Sequence, residues 1–128
     1  LSYLMICVMQ KKNYSVFGFK GKQVRDNIHS RDLVEALYFF YRNPGIGRVY
    51  NMGGGRFSNC SVLEAIALSE KITGNKMKWA YEEKNRLGDH IWWVSDCSRF
   101  QKDYPEWKCK VGVQQILEEI HEGLRCRL

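Results

Sequence analysis

Four segments of the chain place apolar residues at helical spacing, and each predicts a helix with one buried face. They lie at residues 1–8, 33–41, 62–72 and 113–124. The first segment opens in the middle of its apolar pattern and begins with leucine rather than methionine. We therefore expect a chain that is cut from something longer.

Signals for helix ends support the second and third helices. Ser30 lies at the expected N-cap of the second helix, and the Asn-Pro-Gly sequence at 43–45 ends its pattern. Ser61 and Glu64 form a capping-box pattern before the third helix, and Gly74 suits its C-terminal end. Both helices are predicted with defined boundaries.

Three short segments are typical of strands. Residues 14–18 and 77–81 alternate and are rich in aromatic residues, and residues 48–52 form a compact apolar run that ends at glycines. Ser98 is a candidate cap for a brief helix through Phe100. The order strand, helix, strand over residues 14–52 predicts a parallel crossover, so the fold class is α/β.

Composition supports one compact unit over residues 1–128. The chain has 45% hydrophobic and 27% charged residues, which is the balance of a globular domain. No apolar run approaches the roughly 20 residues that span a bilayer, and no signal peptide is recognisable. Five cysteines at no metal-finger spacing favour reduced thiols and a cytoplasmic location. We expect no membrane partner and no metal.

The net charge of +6 makes an anionic ligand plausible. The lysines are scattered and do not form one block, and no motif with interleaved aromatic and basic residues is recognisable. We therefore do not expect nucleic acid as a partner, and a small basic nucleic-acid-binding module stays an alternative.

Arg25 is the first candidate for chemistry. Glycines at 18 and 21 precede it, and the second predicted helix follows it. A guanidinium can grip two phosphate oxygens at once and stays charged at any working pH. An ion pair of Arg25 with Asp26 or Asp32 explains the same spacing equally well.

A second candidate segment lies at residues 85–90. It contains Arg86, Gly88, Asp89 and His90, so that an arginine again stands beside a carboxylate. Taken alone, this segment is typical of a surface turn with an ion pair. His90 precedes the aromatic run at 91–93 and either faces a ligand or packs against that run.

Together the two segments resemble the extended short-chain dehydrogenase/reductase family, the NAD-dependent epimerases and dehydratases. The Gln-Val-Arg-Asp sequence at 23–26 matches the family's Gln-x-Arg-Asp segment, and residues 86–89 match its Arg-x-Gly-Asp segment, with Leu87 where proline is frequent. The sequences at 22–29 and 53–61 are similar to those of the subgroup that epimerises CDP-tyvelose (CDP-paratose) at carbon 2.

The resemblance implies a function in nucleotide-sugar chemistry. It implies that the substrate-binding residues are Arg25, Arg86, Asp89, Gln23 and His90, which would hold a nucleotide-diphosphate sugar, with a CDP-sugar favoured. It also implies that the chain is the C-terminal, nucleotide-sugar-binding half of such an enzyme, and that the parent uses NAD and forms a homodimer. The Rossmann-type sheet would then be absent from this chain, and the strand–helix–strand crossover would join it.

The same resemblance places the glycine-rich NAD loop and the catalytic Tyr-x-x-x-Lys pair before this segment. We therefore expect no catalytic residue and no cofactor site here, and an inactive chain unless an N-terminal half, missing or separately encoded, is supplied. A 4-epimerase, dehydratase or decarboxylase of the same family stays an alternative, as does a noncatalytic subunit.

Two local patterns imitate cofactor or catalytic motifs. The glycines at 53–55 do not satisfy G-x-G-x-x-G, and we expect close backbone packing there. Tyr104 and Lys108 have the spacing of the catalytic pair, but Pro105 predicts a turn. His29, His90 and His121 have no spacing that suggests a shared metal.

Overall fold

The computed structural model describes residues 1–127. It contains five helices and five strands within that range, together with a 3₁₀ turn at Phe19–Gly21. The elements in chain order are α1 (Ser2–Met9), β1 (Asn13–Phe17), β2 (Val24–Asp26), α2 (Ser30–Arg42), β3 (Asn59–Ser61), α3 (Val62–Thr73), β4 (Lys78–Glu82), β5 (Trp92–Trp93), α4 (Ser98–Asp103) and α5 (Val113–Arg125).

The strands form two small sheets. β1 pairs with β4 in parallel, and β2 lies between an antiparallel β3 and a parallel β5. The helices α2 and α3 lie between β1 and β4 along the chain, as a parallel connection requires. The α/β class is confirmed. The parallel crossover predicted over residues 14–52 is wrong in its second strand, because β1 pairs in parallel with β4 and not with residues 48–52.

The expected strand at residues 48–52 is not formed. Tyr50 and Met52 pack against buried aromatic residues, whereas Val49 is 76% exposed. A strand needs a neighbour for its backbone hydrogen bonds, and no segment of residues 1–127 pairs with this one. The compact apolar run predicted a strand, but apolar composition alone does not supply a partner strand.

The larger core lies between β1 and three helices. Val16 of β1 packs with Leu4 and Val8 of α1, Ile66 of α3 and Leu117 of α5, all of them buried. Burying such side chains stabilises the fold by about 1.5–3 kcal/mol each. This core fixes β1, and therefore the start of the loop that leads to Arg25.

A second core is aromatic and joins α2 to α4. The Phe100 ring lies tilted against Tyr104 and meets Trp107 edge to face, and Ala36 of α2 packs against this group. The Trp107 indole N–H donates to the Asp32 carbonyl oxygen at 2.9 Å, so the buried ring has a polar partner. This contact holds the chain after α4 against the first turn of α2.

The helix ends agree with their signals except at α2 and α4. The expected cap at Ser98 is wrong, because Ser98 is the first residue of α4 and Cys97 is its N-cap. Ser61 and Glu64 form the capping box, and Gly74 ends α3 in the left-handed conformation. His29, rather than Ser30, caps α2, because its Nδ1 accepts from the Arg31 N–H at 3.1 Å. Along the part of the chain that is described, no helix is both long and apolar enough to cross a membrane.

Candidate functional site

Arg25 lies on the central strand of the three-stranded sheet. β2 pairs on both sides, and Arg25 is opposite Cys60 of β3 and Trp93 of β5. Strands on both sides restrict the backbone of β2. The guanidinium therefore projects from a fixed backbone.

The loop that carries Arg86 and Asp89 is held against the turn before β2. Gly18 has a φ of +60°, and a Cβ at this position would collide with the Asn85 side chain. The Gly18 N–H donates to the Glu82 carbonyl oxygen at 2.7 Å. Only glycine permits this close approach, which brings residues 85–89 beside β1.

Arg25 forms its ion pair with Asp89, and not with Asp26 or Asp32. Its second nitrogen donates to the Val24 carbonyl oxygen at 2.7 Å. Asp26 instead accepts from the backbone N–H groups of Gly55 and Ser95, both at 3.0 Å. The two local pairings that the spacing allowed are therefore not the ones formed.

Arg86 lies over the face of the Phe17 ring, with its guanidinium carbon 4.5 Å from the ring centroid. A cation over an aromatic face is attracted by the ring quadrupole. The next residues form an open turn in which Gly88 has a φ of +76° and Leu87 is fully exposed. The turn leaves the Arg86 charge beside β1.

These residues surround a small cavity of about 60 Å³. Three of the five expected site residues line it, namely Gln23, Arg86 and Asp89, and the others in its wall are Tyr14, Ser15, Val16, Phe17 and Val62. Arg25 is not in the wall of the cavity, but its guanidinium is paired with Asp89, which is. The expected residues are thus brought together from two segments more than 60 positions apart.

His90 is next to this cavity and is not in its wall. Its backbone N–H donates to the Asp89 carboxylate at 3.0 Å, and its ring meets Trp93 edge to face with centroids 5.0 Å apart. The packing of His90 against the aromatic run at 91–93, one of the two alternatives from the sequence, is therefore present. The backbone hydrogen bond also orients the carboxylate that holds Arg25.

Tyr14 adds a hydroxyl to the cavity that sequence analysis did not single out. Burial raises the pKa of Tyr14, and the nearby Arg86 charge offsets part of that rise. The hydroxyl is therefore protonated at neutral pH and can donate a hydrogen bond. Its place on a predicted strand that ends at Gly18 was the only signal in the sequence.

Sequence analysis also did not identify Asp26 as a residue that holds the site in shape. Its carboxylate joins β2 to the glycine turn at 53–55 and to the segment after β5. A Cβ at Gly53 would collide with this carboxylate, and one at Gly54 would collide with backbone carbonyl oxygens of Asn27 and Ser58. The expected close packing of these glycines is confirmed.

Tyr104, whose spacing from Lys108 imitates the catalytic pair, has a structural role. The Tyr104 hydroxyl donates to the Asn43 carbonyl oxygen at 2.7 Å, and its ring is buried in the aromatic core. Residues 105 and 106 form a turn, as Pro105 predicted. Tyr104 is therefore committed to joining α4 to the end of α2.

An open groove of about 860 Å³ lies on another side of the molecule and includes Gly53, Phe57, Trp92 and Lys108 in its wall. None of the five expected site residues lines it. We choose the smaller cavity as the candidate site because Arg86 and Asp89 line it and Arg25 is paired with Asp89, and not because of its volume.

Comparisons with known proteins agree with this fold. Residues 1–53 match the model of the NAD dependent epimerase/dehydratase family. The chain is 25% identical over 113 residues to the CDP-paratose 2-epimerase of Salmonella typhi. The matched region covers 87% of this chain and 32% of that protein. It is 27% identical over 121 residues to the dTDP-glucose 4,6-dehydratase of Haemophilus influenzae, covering 84% of this chain and 34% of that protein.

Solved structures give the same architecture. The UDP-glucuronic acid 4-epimerase from Bacillus cereus, in complex with UDP-glucuronic acid and NAD, superposes with a TM-score of 0.86 at 23% identity. The match covers 98% of this chain and 39% of that one. The fold is thus that of a portion of an extended short-chain dehydrogenase/reductase.

Over residues 1–53 the chain is similar to the NAD dependent epimerase/dehydratase family, and the curated relatives it resembles are epimerases and a dehydratase. It spans about a third of the length of the curated relatives it matches. These relatives include a 2-epimerase and a dehydratase, so they define the family and not one reaction.

Proposed function

We propose that this chain is the nucleotide-sugar-binding portion of an NAD-dependent epimerase, of the type that acts on CDP-tyvelose at carbon 2. The observation that carries the proposal is that Arg86 and Asp89 line one cavity and that Arg25 is paired with Asp89. Two guanidinium groups within one site match the two phosphates of a nucleoside diphosphate.

In this proposal the diphosphate displaces Asp89 from Arg25. The Arg25 and Asp89 side chains are 35% and 19% exposed, and a partly exposed pair of this kind contributes about 1 kcal/mol or less. A diphosphate offers more charge and more acceptor oxygens than one carboxylate. Asp89 is then free to accept hydrogen bonds from ribose hydroxyls, and Arg86 neutralises the second phosphate.

His90 has a supporting role in the same proposal. Its backbone N–H already donates to Asp89, so it keeps the carboxylate oriented when Arg25 turns to the ligand. Binding energy from the diphosphate then positions the distant sugar carbon for reaction, which is how remote contacts contribute to catalysis.

The described residues do not provide a site that fits NAD. The glycine turn at 53–55 is filled by Asp26 and by backbone carbonyl groups, and Tyr104 is bonded to Asn43. We propose that a separate N-terminal portion, in the same polypeptide or separately encoded, binds NAD, which supplies hydride transfer. Without that portion the chain is inactive in catalysis.

The outer face of α2 is the proposed contact with the NAD-binding portion. Val34, Leu37, Tyr38 and Tyr41 are all more than half exposed on this helix. Exposed apolar patches of this kind commonly mark protein interfaces. The curated relatives are about three times as long as their matched region, which leaves a partner of sufficient size in the whole protein.

Two further features complete the proposal. The parent forms a homodimer, as the family resemblance implies. The five cysteines are free thiols, which agrees with a cytoplasmic location.

A two-dimensional amide NMR titration of the chain with CDP, UDP and NAD tests the binding role. We expect CDP or UDP to shift resonances near Arg25, Arg86 and Asp89, and NAD to leave them unchanged. Arg25→Ala should abolish the shifts, because the phosphate contact is lost. Arg125→Ala, which removes an exposed charge at the end of α5, is the matched control and should leave them intact.

A folded chain whose resonances ignore both CDP and UDP would contradict the proposal. A titration in which Arg25→Ala and Arg125→Ala behave alike would also contradict it, because binding would then follow net charge. The reaction type is tested separately, by supplying the whole protein with CDP-, UDP- and dTDP-sugars and identifying the product.

A further inference from the structure

β4 is an exposed edge strand. All residues of Lys78–Glu82 are exposed, and within residues 1–127 the strand pairs only with β1. The Gly18 N–H donates to the Glu82 carbonyl oxygen at 2.7 Å, so the backbone groups of Glu82 face β1. Because these groups alternate in direction along a strand, the N–H and C=O groups of Trp79 and Tyr81 face outward. The edge therefore presents their donors and acceptors to another strand.

The sequence of this edge, Lys-Trp-Ala-Tyr-Glu, is complementary to itself when it is read in the opposite direction. If a second copy lies antiparallel with Ala80 opposite Ala80, then Lys78 is opposite Glu82, and Trp79 is opposite Tyr81. The charged pairs lie on one face of the sheet and the aromatic pairs on the other, because side chains alternate along a strand. Opposite charges and aromatic rings directly across two strands both stabilise the pairing.

The backbone pattern selects the same register. Trp79 and Tyr81 both face outward, so they exchange two hydrogen bonds when they lie opposite each other. Sliding one strand by one residue would place an outward-facing residue opposite one that faces β1. Sliding it by two residues would bring in Met77, whose N–H already donates to Glu70 Oε1 at 2.9 Å, or Glu83, which lies beyond the strand. The register that pairs the backbone groups is therefore the one that pairs opposite charges.

The side chains that this pairing uses are available. Neither Lys78 nor Glu82 forms an ion pair with another residue of the described range 1–127. Trp79 and Tyr81 are 45% and 44% exposed. At the centre, opposite residues of a non-hydrogen-bonded pair have Cα atoms about 4.5 Å apart, and the small side chain of Ala80 permits that approach.

We propose that β4 is a self-association surface, through which two copies of the chain pair antiparallel about a two-fold axis at Ala80. The two-stranded sheets of the two copies then join into one sheet. Because the surface pairs with itself, the association closes at a dimer. Two short strands bury less than a standard interface, so we expect a reversible dimer with a Kd on the order of 0.1 mM. Nucleotide binding is not required, so this inference stands or fails independently of the proposed function.

Sedimentation equilibrium at chain concentrations up to about 0.5 mM tests the inference. The chain used carries Leu37→Gln and Tyr41→Gln, which remove exposed apolar residues of α2 as a second route to association. Lys78→Glu places like charges opposite each other at both ends of the symmetric pair, and so does Glu82→Lys. We expect each change to weaken the dimer roughly tenfold. Mixing the two variants pairs opposite charges again, so the mixture should dimerise about as tightly as the chain without them.

Lys102→Glu and Glu106→Lys are the matched controls, because they change the net charge equally at exposed positions outside β4. Each control should dimerise like the chain without it, and mixing the two should bring no gain. If the control mixture gains as much as the β4 mixture, attraction between net charges explains the association and the inference is overturned.

Amide hydrogen exchange followed by NMR locates the contact without any change in β4. Raising the concentration from about 0.02 to 0.5 mM should slow exchange of the Trp79 and Tyr81 amides roughly threefold, for a Kd on the order of 0.1 mM. The amides of Lys78, Ala80 and Glu82, which already face β1, should not respond.

Three results would overturn the inference. The first is a chain that stays monomeric at every concentration, since the charges of Lys78 and Glu82 would then only protect the edge from pairing. The second is a dimer that neither charge reversal weakens. The third is a dimer in which the exchange of Trp79 and Tyr81 does not depend on concentration, since the contact would then lie elsewhere.

Discussion

At the scale of single residues, the buried carboxylate of Asp32 shows how one side chain holds two distant segments together. The residue is completely buried in the first turn of α2. Its Oδ2 accepts from the backbone N–H groups of Lys110 and Val111, both at 2.9 Å, and from the Cys109 thiol. Three donors hold the chain before α5 against α2.

These contacts set the charge state of Asp32. Burial raises its pKa, but the hydrogen bonds from Val111, Lys110 and Cys109 outweigh burial, and the net pKa lies below the ordinary value. A carboxyl whose pKa is lowered on folding adds stability above its unfolded pKa of about 3.9. That stability is lost as the pH falls through the folded pKa.

We predict that Asp32→Asn lowers the free energy of unfolding by about 2–4 kcal/mol at pH 7, since a charged acceptor of three donors is lost. The difference from the unaltered chain should shrink as the pH falls below about 4. Urea unfolding at pH 7, 5 and 3 measures it. Asp103→Asn, in the end of α4, is a control with a more exposed carboxylate.

A difference that stays constant from pH 7 to pH 3 would mean that Asp32 acts through its shape and not through its charge.

At the scale of elements, the site depends on strands that are very short. β2, β3 and β5 have three, three and two residues, which is too few for a periodic pattern to be recognised. They are held by contacts outside the ladder, above all by Asp26 and by the close approach of the glycine turn to β2. Arg25 is fixed because these contacts fix its strand.

Gly54→Ala tests that dependence. Its Cβ would collide with the carbonyl oxygens of Asn27 and Ser58, which are backbone atoms and cannot move aside easily. We predict a loss of about 2 kcal/mol or more in unfolding free energy, because overpacking typically costs about 1–3 kcal/mol. Thermal unfolding followed by circular dichroism measures it.

Gly123→Ala is the matched control. A Cβ at Gly123 of α5 would meet no atom within 4 Å. Alanine is the better helix former, so this variant should gain about 0.5–1 kcal/mol. If both variants are destabilised alike, the packing of the glycine turn is not what limits stability.

At the scale of the whole molecule, the main unsatisfied feature is the apolar face of α2. Tyr41 is 80% exposed and Leu37 is 59% exposed, and Ile46 in the following loop is almost completely exposed. A helix of this kind is normally covered on its apolar side. The proposed NAD-binding portion would cover it, and the isolated chain leaves it in contact with water.

We predict that the isolated chain self-associates as its concentration rises, and that the double change Leu37→Gln and Tyr41→Gln reduces this association. The midpoint of thermal unfolding should change little, because exposed substitutions typically alter stability by about 0.5 kcal/mol or less. Sedimentation velocity over a range of concentrations measures the effect.

Leu87→Gln, at an exposed leucine on the loop of Arg86, is the control and should not alter the association. A chain that is monomeric at every concentration would contradict the prediction. So would an equal effect of the control, since the association would then not depend on α2.

Local signals were sufficient for the long elements. The helices α2, α3 and α5 and the strands β1 and β4 appear where apolar periodicity predicted them, because burial of one face dominates their stability. The cap of α2 was placed one residue late, since a histidine cap depends on Glu119, which holds the ring from α5. No local pattern contains that contact.

Local sequence patterns were enough to predict the long helices, the α/β class and the short group of residues in the candidate site. The three-dimensional contacts were needed to show that Arg25 pairs with Asp89 and not with its neighbours. They were also needed to show that, within residues 1–127, nothing donates to the Gln23 Oε1 and no strand pairs with residues 48–52. The difference lies in the range of the interactions. Periodicity and caps act within a few residues, whereas ion pairs, buried amides and strand pairing depend on groups that folding brings together from distant positions.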